Sequence, residues 1–176
     1  IDLRGTHYEF GLQWGAGLAA EGRSILSGVP FPITGARRAF ARACLPHCRR
    51  WFPAALDELH NGKDFVAVHV EAPDECTHNG DLPGKLQAIE WLDSRVIGPI
   101  TQALADEGTD FRLLILSDHK TLTATRGHDA DPVPYLLYDS RKDTGLNLPY
   151  CEESGLKGTA YAAGAPVLMR KLFEQL

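Results

Sequence analysis

The feature that most constrains this chain is an apolar run that stops against a cluster of proton- and metal-binding groups. It is Phe65–Asp81, FVAVHVEAPDECTHNGD, where Glu71, Asp74, Glu75, Cys76 and His78 crowd the residues after the last valine. The run is rich in Val and is preceded by the turn Asn61-Gly62-Lys63-Asp64, which predicts a buried strand over Phe65–Val70. Asp74 and His78 stand at i and i+4, so a helical turn or a tight loop aims both at one point. The pattern returns in FRLLILSDHKT, with Asp118 and His119 at the mouth of the run Phe111–Leu116, which is a second predicted strand. His128 follows in RGHDADPVPYLLYDS, just before the third, Val133–Tyr138. Apolar runs with carboxylates or imidazoles beside their ends predict one site on the rim of a sheet, built for two metal ions.

The rest of the chain supplies the frame. Residues 1–35 are crowded with glycines and offer Leu12, Trp14, Leu18 and Ala19-Ala20 as a short helical face, then a brief strand over Ser24–Val29. Ala36–Leu59 has helical spacing interrupted by Pro46 and Pro53. Leu82 to about Glu107 is the clearest helix. Leu86, Ile89, Leu92, Val96, Ile97, Ile100 and Leu104 trace one apolar stripe, with Asp81 near its start and Gly108 just past its end. From about Thr159 to Leu176 a closing helix is expected. Strand, long helix, strand and a third strand predict an α/β fold with a largely parallel sheet flanked by helices, whose ligands collect outside the carboxyl ends of the strands. His128 precedes its strand, so the loop Lys120–Ala130 must carry it back to that rim.

At 176 residues the length suits a single α/β domain. A net charge of −5, with no Lys/Arg-rich block, argues against a nucleic-acid partner. No apolar run is long enough to span a bilayer, so no membrane is expected. Cys44, Cys48, Cys76 and Cys151 form no CxxC pair, which points to a reduced, cytoplasmic setting. The chain opens at Ile1 rather than Met, in residues that read as mid-domain, and is expected to be the carboxyl-terminal portion of a longer catalytic domain.

Carboxylates and neutral imidazoles are hard-to-borderline ligands suited to Mn²⁺, Zn²⁺ or Mg²⁺. A DxxxH spacing alone is weak, because an Asp after a strand is usually a cap or turn former. The conjunction of Asp74, His78, Asp118, His119 and His128 carries the metal reading. His69 lies inside the first predicted strand and is expected to be buried with a backbone hydrogen bond. Glu71 and Glu75 are expected to hold helix ends or orient ligands. Arg126 is a candidate to meet a phosphate. His7, His47 and His60 are assigned no role.

HVEAPDECTHNGD, LILSDHKT and RGHDADPVPYLLYDS together resemble the cofactor-independent phosphoglycerate mutases of the archaeal type, in the alkaline phosphatase superfamily, whose bacterial relatives include proposed homoserine kinases. The resemblance covers about Asp64–Ser140, and Tyr150–Leu176 weakly. It implies two metal ions, usually Mn²⁺, with Mg²⁺, Zn²⁺ or Co²⁺ as substitutes. Asp74, His78 and His128 match the ligands of one ion, and Asp118 and His119 part of the set for the other. It further implies a nucleophilic Ser and another metal-binding Asp from an amino-terminal region with no counterpart in this sequence. Ser24 and Ser27 do not sit in a comparable setting. Gly127 stands where relatives often carry Thr or Ser. The implied activity is interconversion of 3- and 2-phosphoglycerate through a phosphoserine, so the expected partners are a small phosphorylated metabolite and the missing amino-terminal part. The chain by itself is expected to be poorly active or inactive. Two other readings stay open: a homoserine kinase-like phosphotransferase or phosphatase on the same fold, and a non-catalytic metal-binding domain.

Overall fold

A computed structural model describes residues 7–13, 51–142, 148–158, 160–162 and 165–173. Two compact units divide the chain, the first holding Pro32–Thr109 and Thr121–Gly127, the second Asp2–Phe31, Asp110–Lys120 and His128–Leu176. The expected helix over residues 36–50 and the strand over Ser24–Val29 lie outside the described residues.

The first unit is helical. α1, Trp51–His60, places Pro53 in its first turn, where the missing N–H has no intrahelical partner to lose. Pro53 thus stands inside the first turn of this helix, and the stretch before Trp51, where the expected break at Pro46 falls, lies outside the described residues. His60 at the end of α1 reaches Glu107 through Nε2 at 3.0 Å. Phe65–Val70 follows without regular secondary structure, which corrects the expectation of a buried strand. A strand persists only where a ladder takes up its backbone groups, and no strand of the described residues forms a ladder with this segment. His69 is accordingly exposed, its Nε2 3.6 Å from Glu71 Oε1, rather than buried.

α2, Ala72–His78, begins at Glu71, with Pro73 and the acidic Asp74 and Glu75 in its first turn. Gly80 then turns the chain at φ +72°, and Asp81 caps α3 by accepting from the Gly84 amide at 2.9 Å. The long predicted helix is present as α3, Leu82–Leu92, a π-helical turn, Asp93–Ile97, and α4, Gly98–Asp106. The π turn answers to Pro99, which has no N–H and whose ring crowds the preceding turn. The Gly98 amide reaches back to Asp93 O across the widened turn. At the far end Gly108 takes φ +67°, and the bonds Gly108 N–Ala105 O and Thr109 N–Leu104 O form a Schellman stop. The apolar stripe is only partly covered: Val96 and Leu104 are buried, whereas Leu86 and Ile89 stand about half exposed.

The second unit is built on a four-stranded sheet in the order β2-β5-β1-β6. Its strands are β1, His7–Gln13, β2, Arg112–Leu116, β5, Val133–Asp139, and β6, Ala160–Ala162. A separate two-stranded ladder joins β3, Lys120–Leu122, to β4, Gly127–Asp129. Leu12 lies in β1, so the expected helical face there is a strand where it is described. The parallel sheet is also corrected: β5 runs antiparallel to both β2 and β1, and only β1–β6 is parallel. Parallel neighbours need a crossover, usually a helix, and residues 117–132 contain only the β3–β4 hairpin.

All seven residues of β5 are buried, and alternate side chains feed opposite faces. Leu136 and Tyr138 pack with Phe111, Leu113, Ile115 and Tyr150. On the other face Tyr135 and Leu137 meet Leu114, Leu116 and Leu168. Leu168 belongs to α6, Ala165–Phe173. Pro134 is tolerated in this central strand because β2 pairs only as far as Tyr135, and its carbonyl accepts from the Tyr150 hydroxyl at 3.0 Å. The short helix α5, Glu152–Lys157, completes the unit.

Candidate metal centre

In the first unit, α2 presents Asp74 and His78 on one face, with Asp74 Oδ2 3.3 Å from His78 Nε2. Each side chain is held at its other polar atom by the hairpin tip. The Thr121 hydroxyl donates to Asp74 Oδ1, and His78 Nδ1 lies 2.7 Å from the Arg126 carbonyl oxygen. A carbonyl only accepts, so Nδ1 carries a proton. Nε2 is the ring atom turned toward the Asp74 carboxylate. The arrangement matches that of metal-binding histidines, whose second nitrogen donates to a carbonyl or carboxylate.

In the second unit, Asp118 and His119 follow β2 directly. Asp118 Oδ1 accepts from the His119 amide at 3.0 Å, which fixes the dipeptide. His119 Nδ1 donates to the Lys120 carbonyl at 3.3 Å, and its Nε2 stands 3.4 Å from Asp118 Oδ2. The same chemistry thus occurs twice, each time with a backbone carbonyl on Nδ1 and a carboxylate oxygen facing Nε2. His128, on β4, stacks its ring on that of His119 with centroids 3.7 Å apart. Because β5 is antiparallel to β2, the amino end of β5 lies at the same rim as the carboxyl end of β2. No long loop has to carry His128 back; the hairpin leads into β5 from that side.

All of the nominated residues lie among the described ones. Asp74 is joined to His78, Asp118 to His119, and His119 to His128. The guanidinium of Arg126 lies against Gly80, where an added Cβ would meet its Cζ at 2.5 Å, and Arg126 itself takes φ +55°. Glu71 stands at the start of α2 without a side-chain cap bond. Thr121 was not singled out by the sequence, although it stands two residues after His119 in DHKT. The available signal was a hydroxyl beside a ligand pair.

A family model of the Metalloenzyme superfamily matches residues 46–169. Among curated proteins, the 2,3-bisphosphoglycerate-independent phosphoglycerate mutase of Methanosarcina mazei is 38% identical over 104 residues, 59% of this chain and 26% of that protein. The Methanothrix thermoacetophila protein of the same name is 45% identical over 87 residues, 49% of this chain and 22% of its own. Methanothermobacter thermautotrophicus phosphoglycerate mutase 2, also 2,3-bisphosphoglycerate-independent, is 44% identical over 110 residues, 62% of this chain and 26% of its own. The matched part of the chain thus spans about a quarter of the length of these relatives. A solved structure from Pyrococcus horikoshii superposes with a TM-score of 0.61 at 24% identity, over 74% of this chain and 40% of that one, a likeness of fold.

Proposed function

Since this chain belongs to the Metalloenzyme superfamily, we propose that it is the carboxyl-terminal part of a metal-dependent phosphoglycerate mutase that interconverts 3- and 2-phosphoglycerate. The observation that carries this reading is the repeated Asp/His pair, each imidazole with Nδ1 on a backbone carbonyl and Nε2 beside a carboxylate oxygen, at 3.3 Å for His78 and 3.4 Å for His119. Carboxylate and imidazole donors suit hard-to-borderline divalent ions, and we assign Mn²⁺ on the family resemblance, with Mg²⁺, Zn²⁺ or Co²⁺ as alternatives. Asp74, His78 and His128 are the ligands we assign to one ion, and Asp118 and His119 part of the set for the other. When bound, such ions supply charge neutralisation for the transferring phosphoryl group and lower the pKa of the attacking hydroxyl.

The residues of this chain hold and orient. Thr121 and the Arg126 carbonyl fix Asp74 and His78, the Lys120 carbonyl fixes His119, and the Arg126 guanidinium is nominated to meet a phosphoryl oxygen. The nucleophilic Ser and its companion Asp are assigned to a segment with no counterpart in this sequence. The partners are then a small phosphorylated metabolite and that segment, in the cytoplasm. No helix of the described residues is long and apolar enough to cross a membrane.

Equilibrium Mn²⁺ binding, read by electron paramagnetic resonance, tests the metal assignment. The wild-type chain should bind Mn²⁺, and His78→Ala and His119→Ala should each weaken binding at least tenfold. Undiminished binding in both variants refutes the ligand assignment. Assay of the complete protein with 3-phosphoglycerate, against homoserine with a phosphoryl donor, then separates the mutase from the kinase-like reading that the YLLYDS ending keeps open. Mn²⁺-dependent stabilisation without a phosphorylated Ser would identify a non-catalytic metal domain.

A further inference from the structure

The β3–β4 hairpin tip touches both candidate ligands of α2, and at the atoms that face away from each other. Thr121, near the start of the hairpin, donates its hydroxyl to Asp74 Oδ1. Arg126, across the loop, offers its carbonyl to His78 Nδ1. Occupying these two atoms leaves Asp74 Oδ2 and His78 Nε2 turned toward one point. The tip is itself fixed. Lys85 of α3 donates Nζ to the Thr121 carbonyl at 2.9 Å, and the Arg126 amide closes the loop on Leu122 O at 2.8 Å. Arg126 holds its left-handed backbone with its guanidinium laid over Gly80, a residue with no Cβ to obstruct it.

We propose that Thr121 and Arg126 are positioning residues, forming a two-point clamp that sets the Asp74 rotamer and the His78 tautomer before any cation arrives. The proposal rests on the reading of Asp74 and His78 as ligands. Both side chains are about one-third exposed, and the two hydrogen bonds help to hold each in its orientation. Removing a group that orients a metal ligand typically lowers affinity about 10–100-fold. Thr121→Val keeps the shape and β-branching of the side chain and removes only the hydroxyl, whereas Thr121→Ser keeps the hydroxyl.

The test uses the full chain and Mn²⁺ alone as probe. Thr121→Val should weaken Mn²⁺ binding by about 10–100-fold, Thr121→Ser should restore most of the loss, and the melting temperature should barely move. In the metal-free protein, NMR should show the Nδ1–H tautomer of His78 in all three forms, and a single Asp74 rotamer that becomes averaged only in Thr121→Val. Wild-type affinity in Thr121→Val, or equal loss in Val and Ser variants, overturns the clamp. So does an Asp74 rotamer unmoved by the Val substitution. If the wild type binds no Mn²⁺ yet the Asp74 rotamer responds as described, the ion reading fails and the positioning stands.

Discussion

Substituting Asp139 by Ala tests how the sheet unit is held together. The Asp139 carboxylate, at the end of β5, is 1% exposed and accepts from Arg112 Nε at 2.8 Å, Arg141 Nε at 2.9 Å and Arg141 Nη2 at 2.8 Å. Arg112, 11% exposed, also donates from Nη1 to the Leu172 carbonyl at 3.1 Å, tying the last turn of α6 to the edge strand. Arg141 is nearly half exposed and turns to water once the carboxylate is gone, so it adds little. The cost falls on Arg112, left charged and almost buried, and breaking such a pair from one side costs about 3–5 kcal/mol. Amide exchange in Leu113–Leu116 and Leu136–Tyr138 reads this directly, and protection there should fall by roughly 10²–10³-fold or more. Amides of α3 and α4 serve as the internal reference. Adding Arg112→Met should recover most of the loss, since removing both charges is far cheaper than orphaning one. A fall of less than tenfold in Asp139→Ala, or no recovery in the double variant, refutes the account.

The same carboxylate makes the sheet acid-sensitive. Hydrogen bonds from the Arg141 side chain, outweighing burial, and then from Arg112, hold its pKa well below the ordinary carboxylate range. A lowered folded pKa means that the unfolded chain binds the proton first. The contribution is therefore complete above about pH 4 and is lost as pH falls through the folded value. Urea midpoints followed by sheet-unit exchange should drop below about pH 4 in the wild type and lose that component in an Asp139→Asn/Arg112→Met variant. Gly108→Ala, where an added Cβ meets nothing within 4 Å but φ is +67°, should destabilise the helical unit by about 1 kcal/mol through backbone strain alone, read as faster exchange in α4.

What the sequence made legible follows the range over which each cause acts. The stops and caps are local, so Asp81, Gly108 and the helix between them could be read from side-chain chemistry alone. The π turn was also local, yet Pro99 was passed over because the apolar stripe continues through it. Strand direction is not local. The run VPYLLY identifies a strand buried on both faces, but whether it lies parallel or antiparallel to Arg112–Leu116 depends on what connects them, and residues 117–132 read as a plain loop rather than a hairpin. Phe65–Val70 has strand composition, and composition specifies burial without specifying a ladder partner. Leu86 and Ile89 have the periodicity of a covered face and are exposed among the described residues, because periodicity says which side faces a neighbour and not whether a neighbour is there.

The site shows the same division at finer scale. Asp74/His78 and Asp118-His119 could be nominated because each pair is close in sequence and its residue types are chemically distinctive. What orients the imidazoles is the main chain, through the Arg126 carbonyl for His78 and the Lys120 carbonyl for His119. A backbone carbonyl has no residue type, so no reading of side chains finds it. Its trace is conformational: Arg126 occupies a backbone region that favours glycine, and it does so in the loop whose carbonyl fixes His78. It follows that substitutions at Thr121 and around the Arg126 loop should alter cation affinity while leaving every nominated ligand in place, a class of effect that a search confined to ligand residues would miss.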